Sequence, residues 1–144
     1  MNFFKPLTGK NDTHNHDQMQ ECMVVLKEVA TAAKSGEELR ALDSLKHLMT
    51  MVNRSELPTT IRERFIEEGK KYTLAVHRLK LQDYFDRAFN YTRSGDTANR
   101  ELMIRNSLKC IEAMGHLTTN SQFIEEMLKR VDVLRQTSQA GTSD

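Results

Sequence analysis

Between residues 18 and 137 the apolar side chains return at every third or fourth position, the spacing that collects them on one face of an α-helix. A first stripe, Met19, Met23, Leu26, Val29 and Ala33, closes at Ser35-Gly36. A second, Leu42, Leu45, Leu48, Met49 and Val52, stops before the stretch from Asn53 to Pro58, and Ser35 with Glu38 has the spacing of a capping box at its start. Pro58, Thr60 and Glu63 signal a third beginning. From there Ile61, Phe65, Tyr72, Val76 and Leu79 run on to Ser94-Gly95 with Gly69 as the weak point. Asp96 starts a fourth helix with Ile104, Leu108 and Ile111 inward and Gly115 as its stop. Thr119 and Gln122 form another capping box, before Phe123, Ile124, Met127, Leu128, Val131 and Leu134.

The third element is long. As a straight rod from Thr60 to Arg93 it would extend about 50 Å at 1.5 Å per residue, against a radius of gyration of about 15 Å for a compact chain of this size. Either the rod projects, or a partner chain covers it, or it bends near Lys80 to Asp83. The bend is favoured because the stripe moves there from Val76 and Leu79 to Leu81, Phe85, Ala88 and Phe89.

The expected fold is therefore all-α, a single-domain bundle of five to six helices, with two tandem three-helix units sharing a long central helix as its variant. Residues 1–17 are expected to form an N-terminal tail, 18–137 the helical domain, and 138–144 a C-terminal tail. The variant divides the domain into 19–79 and 80–137. Shifting the chain by 59 residues places Ser35-Gly36 on Ser94-Gly95, Thr59-Thr60 on Thr118-Thr119, Leu45 on Ile104 and Phe65 on Ile124. Any two amphipathic helices agree in phase once their caps are aligned, so duplication and coincidence both stay open.

Composition narrows the class. At 144 residues, 38% hydrophobic and 28% charged, with mean hydropathy -0.60, the chain is sized for one domain and too polar for a transmembrane segment. Lys and Arg total 21 against 20 Asp and Glu, which excludes the global field of a duplex-coating protein. Cys22 and Cys110 fall within helical patterns, no disulfide scaffold is indicated, and a reducing cytoplasmic setting is expected. Residues 1–10 carry Phe3, Phe4, Leu7, Lys5 and Lys10 but are interrupted by Pro6, so a signal peptide is not expected, and a membrane contact there ranks below a tail packed on the domain.

Catalytic chemistry finds little support. The histidines stand at 14, 16, 47, 77 and 116, with no Glu-x-x-His or His-Glu-x-x-His around them, and there is no Gly-rich phosphate loop and no Gly-x-Ser-x-Gly. His14 and His16 flank one Asn in the expected tail, where a solvated pair outranks a metal site. The expectation is a non-enzyme with no catalytic residues, no metal and no cofactor.

The most distinctive stretch is 70–93, where Lys70, Lys71, Arg78, Lys80, Arg87 and Arg93 face only Asp83 and Asp86, and where five of the nine aromatic residues lie. Cations interleaved with rings suit single-stranded nucleic acid, since phosphates pair with Lys and Arg while bases stack on exposed rings. The competing reading puts Phe85 and Phe89 in the core and leaves the cations as a solvated face, with Tyr84 and Tyr91 exposed beside them. Met51 departs from the Leu45, Leu48, Val52 stripe and is expected at the surface, where a thioether suits an irregular protein groove. The leading expectation is an adaptor or regulator that binds a protein, or a second copy of itself as a homodimer, through Lys70, Lys71, Arg78, Lys80, Tyr84, Arg87, Tyr91 and Met51. The alternative is an RNA- or single-stranded-DNA-binding regulator using the same helix.

Overall fold

A computed structural model describes the backbone of residues 12–142 and the side chains of residues 14–136. Among these residues there are five α-helices and no strand: α1 (Asp12–Lys34), α2 (Glu38–Arg54), α3 (Thr59–Ser94), α4 (Thr97–Gly115) and α5 (Ser121–Thr142). The all-α class holds. The chain divides into two compact units at Val76 and His77, so that α3 contributes its first half to one unit and its second half to the other.

The first unit is built from α1, α2 and the start of α3. Cys22, Leu26 and Val29 of α1, Ala41, Leu45, Leu48 and Val52 of α2, and Phe65 of α3 are all buried, as period-3.6 stripes facing one another require. Gly69 sets the closeness of the packing. A Cβ placed there would lie 2.7 Å from a Leu45 Cδ and 3.0 Å from a Leu48 Cδ, so α2 rests against bare α3 backbone. One turn further on, the Thr73 hydroxyl donates to the Gly69 carbonyl at 2.8 Å and is buried without leaving an unsatisfied group. Val76 closes the unit against Ala32 and Ala41.

The second unit joins the rest of α3 to α4 and α5. Leu81, Phe85 and Ala88 of α3 and Met103, Ile104, Ile111 and Met114 of α4 are buried, and Ser107 satisfies its hydroxyl on the Met103 carbonyl at 2.8 Å. The Cys110 thiol donates to the His77 carbonyl at 3.2 Å. The fifth helix is covered far less. Val131 is its one fully buried residue among those described, while Phe123, Ile124, Met127 and Leu134 are half-buried.

In the first unit the buried positions of α3 are Phe65, Gly69, Thr73 and Val76, and in the second His77, Leu81, Phe85 and Ala88, each set spaced by three or four residues. The stripe therefore keeps its register through Lys80 to Asp83. It looked displaced in the sequence because Gly69, Thr73 and His77, none of them a typical core residue, hold the inward positions. Leu79, assigned inward, is 72% exposed. The chain's own helices bury one face of α3 within each unit, while Leu79 and Phe89 stay exposed.

Helix ends follow local chemistry more closely than the expected capping boxes. Gly36 and Gly95 adopt φ of +73° and +77°, a region costly for residues with a Cβ. Each closes a C-terminal motif in which the following residue reaches back five positions, Glu37 N–H to the Ala32 carbonyl at 3.0 Å and Asp96 N–H to the Tyr91 carbonyl at 2.9 Å. The same geometry thus recurs 59 residues apart. Ser35 belongs to this turn and does not cap α2, whose N-cap is Glu37 without a side-chain bond. Asp96 does cap α4, accepting from the Asn99 N–H at 3.2 Å. At α5 the cap is Asn120 in place of Thr119, its side-chain oxygen accepting from the Phe123 N–H at 3.1 Å. Helix α1 begins at Asp12, inside the polar run read as tail, with His14 3.3 Å from Glu56, and α5 extends to Thr142, into the stretch expected as the C-terminal tail. The expected contact of residues 1–10 lies outside the described residues.

Candidate docking groove

The eight residues singled out from sequence do not converge. Lys70, Lys71 and Met51 belong to the first unit, whereas Arg78, Lys80, Tyr84, Arg87 and Tyr91 belong to the second. Within the first, Lys71 lies 3.7 Å from Glu68 one turn away, and Lys70 is half-buried. Met51 is half-buried rather than at the open surface, lining a small cavity with Gln18, Glu21, Cys22, Arg54 and Ser55. Burial of Cys22 there, with the Glu21 carboxylate second, pushes its thiol pKa up and keeps it protonated.

In the second unit Arg87 pairs with Asp83 at 3.0 Å, and the Arg78 guanidinium stands 4.7 Å over the Phe123 ring. Tyr84 and Tyr91 are half-buried rather than exposed, and Lys80 is likewise half-buried. Arg87 is thus engaged on its own helix and Arg78 on the neighbouring one. That is the disposition of a solvated face with apolar stems.

A different set of residues comes together on the second unit. The end of α3 and the middle of α5 enclose an open groove of about 370 Å³ lined by Phe85, Asp86, Phe89, Lys129, Arg130, Val133 and Leu134. The pairs Phe85/Phe89, Lys129/Val133 and Arg130/Leu134 are each four residues apart, so one turn of each helix forms each wall. Phe85 is buried and forms the floor. Phe89, one turn later and expected in the core, is 50% exposed, and Val133 is 58% exposed. Arg130 lies 4.5 Å over the Phe85 ring and donates to Gln82 Oε1 at 3.3 Å, which holds its guanidinium at the groove edge. Arg93 stands 5.8 Å from the Phe89 ring. Lys129 and Arg130 thus stand against the carboxylate of Asp86 among the lining residues, with Arg93 just outside them.

Sequence reasoning named none of the seven lining residues as a site residue, because it treated Phe85 and Phe89 as core and gave α5 no surface role. The signal was present as Lys129-Arg130 followed four residues later by Val133-Leu134, an amphipathic pattern too wide for one buried stripe. Among the described residues no group of three or more His, Cys, Asp or Glu side chains is placed to hold a metal ion. Among the described residues no helix is long and apolar enough to cross a membrane. Comparison with protein-family models, with curated proteins and with solved structures returns no match.

Proposed function

We propose that the chain is a non-enzymatic protein-binding module, an adaptor or regulator, whose working surface is the groove between the end of α3 and the middle of α5. One observation carries this reading: Phe89 and Val133 are large apolar side chains held half or more in solvent on either side of a formed groove. Exposed apolar residues scattered singly need no explanation, but two that share a concavity with a buried aromatic floor have the anatomy of an interface core inside a charged rim. Protein recognition outranks nucleic-acid recognition on the same ground. A strand-binding surface needs exposed rings beside its cations, whereas Tyr84 and Tyr91, the rings interleaved with Arg78, Lys80 and Arg87, are half-buried.

The test is capture from nuclease-treated native lysate by the wild-type chain and by Phe89→Asp, a change at a half-exposed position. Proteins retained by the first and lost by the second, unaffected by nuclease, are the expected result. Equal recovery by both chains, or recovery that disappears with nuclease, overturns the proposal. Sedimentation of both chains in parallel reveals whether a second copy occupies the groove.

A further inference from the structure

We infer that the occupant of this groove is an acidic amphipathic helix of a partner protein; the inference rests on the docking reading above and deepens it. Three features of the site select that chemistry.

The first is shape. Both walls are helices, and their lining residues repeat at four-residue intervals, so the groove runs along helical ridges. A third helix seats its own apolar row in such a furrow, and a peptide that binds by adding a strand is excluded because the described residues contain no sheet edge. The second is the floor. Phe85 is buried beneath the Arg130 guanidinium, and Phe89 and Val133 rise on opposite walls, giving apolar side chains on an incoming helix a surface to cover on both flanks.

The third is charge. Among the lining residues Lys129 and Arg130 are cationic and Asp86 is the one carboxylate, and Arg93 lies beside Phe89 just outside them. A chain with a net charge of +1 has no general preference for anions, so the local excess is a property of this site. Glu and Asp flanking the apolar row of the incoming helix would meet these cations at the rim, and reversing one of them would set like charges against each other. A basic helix would oppose the same three cations.

Fluorescence anisotropy on the 144-residue chain tests this with three labelled peptides of about 16 residues, near the length at which isolated helices become stable. One is an amphipathic helix with Leu at the spaced positions and Glu flanking them. The second carries Lys in place of every Glu, and the third is a scramble of the first that keeps its composition but loses the stripe. Saturable binding of the acidic amphipathic peptide alone is expected, weakened about tenfold by Phe89→Ala and by Lys129→Glu, the scale of losing one central contact or reversing one rim charge. Circular dichroism of each variant confirms folding, and neither residue is in the buried core.

Equal binding of the basic peptide overturns the inference, as does equal binding of the scramble, which would mean attraction without a groove. Binding unchanged in both variants also overturns it. The same holds if a single-stranded oligonucleotide displaces the acidic peptide from the wild type and binds equally well to Phe89→Ala. Failure of the peptides with continued Phe89-dependent capture from lysate removes the acidic helix and keeps the groove, whereas loss of both removes the docking reading itself.

Discussion

Phe85 and Phe89 lie one turn apart on α3, are chemically identical, and have opposite environments, which makes their truncation a calibrated pair. Phe85 is 4% exposed. Replacing a buried Phe by Ala removes its transfer free energy and leaves a void, a loss of about 3 to 5 kcal/mol. The Arg130 contact at 4.5 Å would go with it, so the expected cost is about 4 kcal/mol. Phe89 is half-exposed. Half of the roughly 1.5 to 3 kcal/mol for complete burial is about 1 kcal/mol, and a side chain open to water leaves no closed cavity. Its contact with Arg93 at 5.8 Å contributes about 0.5 kcal/mol. The better helix propensity of Ala returns a similar amount, for a net loss of about 1 kcal/mol. The difference between the two variants is then about 3 kcal/mol. With an m-value of about 2 kcal/mol/M in urea, that separates their unfolding midpoints by about 1.5 M. Far-UV circular dichroism reads the transition, since the chain has no tryptophan. Equal losses, or a larger loss for Phe89→Ala, would show that Phe89 is packed in the core and that the groove does not stand open.

Three further outcomes follow from local geometry. Asp96→Ala removes the N-cap bond to Asn99 and is expected to cost about 1 kcal/mol, whereas Ser35→Ala, at a position that caps nothing, stays within about 0.5 kcal/mol in the same urea titration. Gly69→Ala gains about 1 kcal/mol in helix propensity but drives a Cβ to 2.7 Å from a Cδ of buried Leu45; with both leucines held in the core, overpacking of about 2 kcal/mol is expected to outweigh the gain and lower the thermal unfolding temperature, and an upward shift would show that the leucine side chains give way. Cys22, its thiol pKa pushed up by burial and by Glu21, should react with an alkylating reagent more slowly than the unfolded chain at mildly alkaline pH, with its labelling rate rising only at higher pH; mass spectrometry of the labelled peptide checks this.

The class of fold was legible because the stripes of α1, α2 and α4 are made of ordinary core residues at ordinary spacing, and because Ser-Gly marks where two helices end. The register of α3 was harder to read. Its buried positions include Gly69, which packs by smallness, Thr73, which satisfies its hydroxyl on the Gly69 carbonyl, and buried His77, so a search for apolar side chains sees a gap and then an offset. Capping boxes were over-read for a related reason: Ser35 and Thr119 stand next to the residues that do the work, and a one-residue shift in a helix start is invisible until the backbone is placed. The candidate site was the least legible part. Counting cations along α3 cannot show that Lys71 and Arg87 are ion-paired or that residues 70 and 78 fall in different units. Nor can a stripe show that Phe89 rises beside Lys129 and Arg130, because that depends on how completely α5 covers the end of α3.

Site-specific photo-crosslinking tests the docking surface most directly. A photoreactive phenylalanine analogue replaces Val133 at the groove in one chain and exposed Lys71 of the first unit in another, and each is irradiated in nuclease-treated lysate. Discrete protein adducts from position 133, absent from position 71 and abolished by Phe89→Asp in the same chain, are the predicted result. Adducts from position 71 alone, or equal adducts from both that ignore Phe89→Asp, would contradict it.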